Sequence, residues 1–405
     1  MNQLPYVKIN FANGAIGGSA AMDDGCTGLV CTAEAVTGGF QLGNNYLITA
    51  LKQLKALGID EESEGANANV YKCVKEFYDV APQGSKLYLR GVSDASAMDD
   101  LVDSDPDSSP AWDLLRYAKG EIRILMVKVT DPDEYSATIA DGLDGVVYDA
   151  IEAAQTLADD ATEDLKAPLL VLLEGRHYTG NDTALADLRS LASNRVAVVI
   201  GDTMASSTGA AVGLLAGRIA AIPVQRSIAR VKDGPIASTK MYIKNQLAEL
   251  GSPADIHDKG FICPRTFAGK GGYFWSDDTL ATASSDDYCY IPRRRTADKA
   301  YRVAYAAMLQ FVNDEIAVTA EGKIAPTVCK GIETALESAI INNMTSQGNL
   351  GTDPDDPNDT GVVAYVSPDQ NIVQTSHLDV QLRIRPYGYA KYIEVDLGFQ
   401  TLPTA

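Results

Sequence analysis

The chain has 405 residues, 46% of them apolar and 22% charged, with 34 basic against 54 acidic side chains and a formal net charge of −20. Such a composition suits two or three folded domains and excludes wholesale disorder. The charge argues against binding nucleic acid by phosphate neutralisation, which needs clustered Lys and Arg, and favours solubility.

The opening residues, MNQLPYVKINFANGAIGG, have neither the basic segment nor the apolar stretch of a secretory signal. Within them Val7, Ile9 and Phe11 alternate with polar residues ahead of Asn13-Gly14, which reads as an extended arm and a turn. Residues 44–59 carry Leu47, Ile48, Leu51, Leu54 and Leu57 at helical spacing, closed by Gly58. Residues 86–92 read as a strand and 94–110 as an acidic loop.

The middle of the chain alternates strand and helix. Apolar runs at 122–129, 169–173 and 196–200 are separated by helical patterns at 143–158 and 183–192 and followed by one at 208–220. Near-continuous apolar strands of this kind form a parallel sheet covered on both faces. Gly209, Gly213 and Gly217 lie on one stripe of the last helix and would admit another backbone at close range. The span Gly209 to Val224 is interrupted by Arg218 and is too short to cross a bilayer, so no direct membrane insertion is expected.

Further on, 237–250, 297–318 and 325–344 read as helices, 349–359 as a polar loop and 362–366 as a strand. At the end, Leu378, Val380, Leu382 and Ile384 alternate with polar residues, as do Ile393, Val395, Leu397 and Phe399 after Pro386-Tyr387-Gly388. Period-two alternation marks half-buried strands, and a chain ending on one carries an edge to be covered or shared.

Catalytic signatures are sparse. Around Gly269-Lys270, Pro264 stands where a phosphate loop needs glycine and Gly271 where it needs a hydroxyl. The first strand of the alternating region is followed by Thr-Asp-Pro-Asp-Glu, without the glycines of a dinucleotide site. Of His177, His257 and His377, only His177 follows a strand end, so an enzyme reading places its site near Glu174 to His177. Asp353 to Asp359 lacks the glycine and glutamate of a calcium loop, with Asn358 and Ala364 at those positions. Cys26, Cys31, Cys73, Cys263, Cys289 and Cys329 have no metal-like spacing and read as reduced thiols. Arg293, Arg294 and Arg295 are the one basic cluster. They are either surface arginines paired with Asp286, Asp287 and Asp298 or a patch for a partner's acidic surface.

The order of features from about Ala210 to Phe399 resembles the contractile phage tail sheath family, in a divergent branch. It is carried by the Ala/Gly-rich helix running to Pro223, Phe274-Trp275, Thr279-Leu280, Tyr288-Cys289-Tyr290-Ile291, the three arginines, Phe311-Val312-Asn313-Asp314 and the closing strands with Pro386. An Arg-Thr-Leu triplet common in the family reads Asp278-Thr279-Leu280 here. The resemblance implies a non-enzymatic structural subunit without cofactors, polymerising as hexameric rings around a tail tube protein. Baseplate and tail terminator proteins would be its other partners. It implies a virion tail or tail-like particle assembled in the bacterial cytoplasm, contracting by rigid-body rearrangement of its subunits. Terminal strands would insert into neighbours, through Val7, Ile9 and Phe11 at one end and Leu378, Val380, Leu382, Ile384, Ile393, Val395 and Leu397 at the other. Arg293, Arg294 and Arg295 would face the tube or another partner. The expected fold is α/β: a central parallel-type sheet with flanking helices, an α+β C-terminal domain, and extended terminal arms. Its expected parts are residues 1–20, 21–120, 121–235, 236–375 and 376–405. A soluble α/β enzyme, or another tail or baseplate structural protein, is the alternative.

Overall fold

The apolar runs form the centre of the fold. The computed structural model describes residues 24–399, in which a six-stranded sheet is built from β1 (Thr27–Thr32), β2 (Asn45–Ile48), β3 (Leu87–Val92), β4 (Ile124–Lys128), β5 (Leu170–Glu174) and β6 (Val196–Val199). Their order is β2-β3-β1-β4-β5-β6, all parallel except the β2–β3 edge. Strands β1, β4, β5 and β6 are buried along their whole length. The helices that accompany the sheet include α1 (Leu51–Ala56), α2 (Gly65–Val80), α3 (Pro110–Tyr117), α4 (Val146–Asp164) and α5 (Val212–Ala221). Helix α2 runs along α5 over β4, while α3 and α4 pack together over β1, β3, β5 and β6.

The glycine stripe explains how α2 and α5 come so close. A Cβ on Gly213 would lie 2.3 Å from the Cys73 carbonyl oxygen, and one on Gly217 2.7 Å from that of Phe77. Gly209 lies before α5 instead, where a Cβ would meet the Glu174 carboxylate.

Four expected helices are corrected. Residues 44–59 divide into β2 and α1, because pairing with the edge of β3 competes successfully with the helical pattern; Leu47 is thereby exposed. Residues 183–192 form two single turns, Asp182–Ala184 and Leu188–Ser190, with Asp187 accepting a hydrogen bond from the Arg189 amide. Such local bonding diverts a chain from helix. Residues 237–250 contain a hairpin of Tyr242–Ile243 with Gln246–Leu247, held because Tyr242 and Asp202 exchange backbone hydrogen bonds just beyond β6. The helix expected at 297–318 starts earlier and stops earlier, as α6 (Ile291–Met308), with Pro292 in its first turn.

A hairpin of β7 (Pro264–Phe267) and β8 (Lys270–Trp275) leads to the C-terminal unit. That unit consists of α6, α7 (Pro326–Asn343), β9 (Val362–Tyr365) and β10 (Gln381–Ile384), the last two antiparallel. It has apolar clusters of its own, one around Ala300, Val303, Ile340 and Met344 and one around Ile324, Ile332 and Val366. Buried ion pairs tie it to the sheet: Asp298 to Arg195 at 3.1 Å, and Asp24 to Lys299 at 2.7 Å and Arg302 at 2.6 Å. The arm expected from Val7, Ile9 and Phe11 lies outside the described residues.

Candidate functional site

Two places gather polar side chains. The first is at the carboxyl ends of β4, β5 and β6. Lys128 and Glu174 form a buried pair at 2.5 Å, and Glu174 also accepts from the Val129 and Ala210 amides. Arg176 binds Asp131, and Lys72 binds both Asp202 and Glu76. His177, in the left-handed region at φ 52°, sets Nε2 3.1 Å from Asp131 beside a cleft of about 310 Å³. Burial opposes ionisation of Asp131, but the His177 hydrogen bond and the Arg176 charge hold its carboxyl down at about 2. Burial pushes the Glu76 carboxyl up. The cations of this cluster are thus engaged by carboxylates of the same chain, an arrangement that braces the strand ends. Among the described residues no group of His, Cys, Asp and Glu is placed to hold a metal ion, and the six cysteines are buried and form no disulfide.

The three arginines separate. Arg295 is buried and donates to the Ile222, Pro223 and Asp24 carbonyls, so it is committed inside the chain and corrects the expectation of a partner-facing residue. Arg294 pairs with Asp298 at 2.8 Å and covers the Tyr288 ring, and Arg293 lies over Tyr290.

The second place is the C-terminal segment. Leu378 and Val380 pack against the Ile324 cluster, and Leu382 and Ile384 against the Ala300 cluster, all within the same chain. Past β10 the segment makes no further ladder among the described residues, yet it is anchored. The Tyr389 hydroxyl donates to the Gln225 carbonyl at 2.5 Å. Lys391 reaches Asp277 at 2.5 Å and Asp278 at 2.9 Å, with its ammonium 3.2 Å from the centroid of the Tyr290 ring. Asp278 is fully buried. Burial raises its carboxyl, Lys391 counteracts, Asp277 raises it further, and the result is about 6. A groove of about 1270 Å³ runs beside this anchor, lined by Arg226, Arg230, His257, Asp277 and Tyr389.

Immediately beyond Lys391 the burial ends. Ile393 is 76% exposed, Val395 79% and Leu397 96%, with Tyr392 and Phe399 equally uncovered. The alternation read at 393–399 is therefore present as an extended apolar strip without a partner among the described residues. No local sequence signal marks this anchor; Asp278 differs from the family triplet, and nothing in the spacing pairs it with Lys391.

The family model described as the DUF2586 N-terminal domain matches residues 4–279, and that of the DUF2586 C-terminal domain matches residues 287–402. No curated protein matches the chain. Among solved structures, the chain is similar to one from the anti-feeding prophage baseplate, at TM-score 0.62 and 16% identity over 99% of this chain and 100% of the other. It is similar to a chain of the PVC sheath complex, an extracellular contractile injection system in its contracted state, at TM-score 0.60 and 14% identity over 99% and 98%. The sheath tail protein of Desulfitobacterium hafniense superposes at TM-score 0.51 and 12% identity over 94% and 100%. The chain belongs to the DUF2586 family, and its fold is that of the tail sheath proteins of contractile injection systems.

Proposed function

We propose that this protein is the structural subunit of a contractile tail sheath. The observation that carries the reading is the strip from Tyr392 to Phe399, exposed past an anchored root. Full burial of Ile393, Val395, Leu397 and Phe399 would gain about 1.5–3 kcal/mol each. Ordering the segment costs about 1–2 kcal/mol per residue. The strip therefore docks only where an open ladder and a ready apolar face receive it together, as in strand addition between copies.

Head-to-tail contacts of this type close into rings or run on as an open helical cylinder, according to the rotation between copies. The similarity to a chain of the PVC sheath complex supports a subunit that assembles; in this reading the copies stack as hexameric rings around a tube, with tube, baseplate and terminator proteins as further partners. Contraction would be rigid-body rotation of subunits into a second lattice while the donated strands keep neighbours joined. The chemistry needed is mechanical and calls for no cofactor, and the charged cluster near Glu174 and His177 serves as bracing. A subunit positioned at the baseplate is the second reading, favoured by the similarity to a baseplate chain.

The test is sedimentation and negative-stain imaging of the full chain, of a version ending at Lys391, and of Val395→Asp/Leu397→Asp. Cylinders or rings from the full chain, and folded monomers from the other two, are expected. Assemblies that persist in both altered proteins would overturn the reading.

A further inference from the structure

The cleft beside His177 lies outside the carboxyl ends of β5 and β6, the position at which open parallel α/β sheets receive ligands. Its charged floor is already satisfied. Asp131 accepts from Arg176, His177 and Thr208, and Asp202 from Lys72, the Thr203 amide and Ser207. The head of α5, where such a fold would bind phosphate, is occupied from within. Glu174 accepts from the Ala210 amide, and the Gly201 carbonyl accepts from that of Ala211. A phosphate or a metal cation therefore finds no uncommitted partner on this floor.

The walls are different. Tyr178, Tyr242, Ser206 and Asn245 line the cleft, and their hydroxyl and amide groups make no hydrogen bond among the described residues. Both tyrosines are half-buried, so each offers ring surface beside a polar tip. Burial pushes the Tyr178 phenol up to about 12, so it stays a donor. Ile139 adds an apolar edge that is half exposed. The remaining charge is Lys244, whose ammonium donates to the Thr179 carbonyl and has no ion pair among the described residues. Its backbone is left-handed at φ 57°, as is that of His177 at 52°. Each such non-glycine residue costs about 1–3 kcal/mol, and residues of this kind gather where a ligand is clamped. At about 310 Å³ the cleft has room for a single sugar ring.

We infer that this cleft binds a sugar ring that carries a carboxylate, a uronate unit. The tyrosine rings and Ile139 take its C–H surface. Ser206, Asn245 and the two phenols bond its hydroxyls, and Lys244 meets its acid. No residue of the C-terminal arm takes part, so the site stands apart from assembly and goes beyond it.

Saturation-transfer NMR of the full chain with glucuronate, glucose and acetate tests this. Glucuronate should bind saturably, about fivefold tighter than glucose, the upper range for an ion pair near the surface. Acetate, which has the charge without the ring, should give no transfer. Ser206→Trp and Asn245→Trp each fill the cleft from an exposed position and should abolish the signal from both sugars at an unchanged urea midpoint. Two blocking variants keep the test open if one of them fails to fold. Lys244→Asn keeps a residue that tolerates positive φ and should make the two sugars bind equally, whereas Lys244→Arg should retain the preference. The methyl glycoside of glucuronate tells a chain end, which would bind equally, from the free sugar, which alone would bind. Absence of saturable glucuronate binding, or binding that survives both tryptophan variants, overturns the site. A preference for glucuronate that survives Lys244→Asn overturns the assignment of the acid to Lys244.

Discussion

Lys391 holds its ammonium 2.9 Å from a carboxylate oxygen of Asp278, two residues 113 positions apart that join the last anchored point of the chain to the buried floor beneath it. Removing the lysine leaves a buried carboxylate without its cation and beside the like charge of Asp277. Breaking one side of a buried pair costs about 3–5 kcal/mol, less where the orphaned acid takes up a proton. Lys391→Met is therefore expected to lower unfolding free energy by about 2–3 kcal/mol, and Asp278→Asn by less, because it removes the charge that needs compensation. Urea denaturation of both variants checks this, and equal stability of Lys391→Met and the parent would show that the anchor carries no energy.

The same pair makes the arm's root sensitive to acid. Asp278 titrates at about 6 in the fold, above its ordinary value of 3.8. For global unfolding, its contribution to stability is fully present below pH 3.8 and is lost as pH rises through 6. For release of the root the sign is opposite. Lys391 favours the ionised acid, so protonation between pH 7 and 5 weakens the hold and favours detachment. Hydrogen exchange at residues 389–391 should accelerate on going from pH 7.5 to pH 5, after correction for intrinsic rates, and Asp278→Asn should abolish that difference. Unchanged protection in the parent would contradict the assignment.

These relationships show where the sequence is legible and where it is not. Strands β4, β5 and β6 are readable because both faces are buried and their apolar runs are near-continuous. Strand β1 is equally buried but reads TGLVCT, where Thr27, Gly28 and Cys31 disguise it. Helix α2 begins GANAN, so its start carries little apolar periodicity. Leu47 belonged to a helical pattern by spacing and to a strand by pairing, a contest that only β3 decides. The exposed strip is legible because alternation is local. Its anchor is not, because Lys391, Asp278 and Gln225 meet only after folding.

Two glycines with opposite surroundings test the helix contacts. Gly213 touches the backbone of α2, and a Cβ there would lie 2.3 Å from the Cys73 carbonyl oxygen. Gly331, in α7, has nothing within 4 Å of its Cβ position. Alanine is favoured over glycine in a helix by about 1 kcal/mol. Gly331→Ala should stabilise by about 0.5–1 kcal/mol, whereas Gly213→Ala should destabilise by about 1–3 kcal/mol, as overpacking does. Thermal unfolding of the two variants measures the contrast. A stabilised Gly213→Ala would mean that α2 and α5 do not approach as described.

The charged cluster at the strand ends distinguishes bracing from binding. Glu174 is fully buried and held by Lys128 and two backbone amides, and Lys128 is nearly as buried. Lys128→Met should cost about 3–5 kcal/mol, the range for removing one member of a buried pair. His177 is more accessible and shares Asp131 with Arg176 and Thr208, so His177→Ala should cost about 1 kcal/mol or less, the value of one hydrogen bond. Where these variants still fold, sedimentation should match the parent, because the cluster acts through the stability of the sheet. A variant that kept its urea midpoint and lost assembly would instead place these residues at a contact between subunits, and the cleft beside His177 would then be the surface to probe.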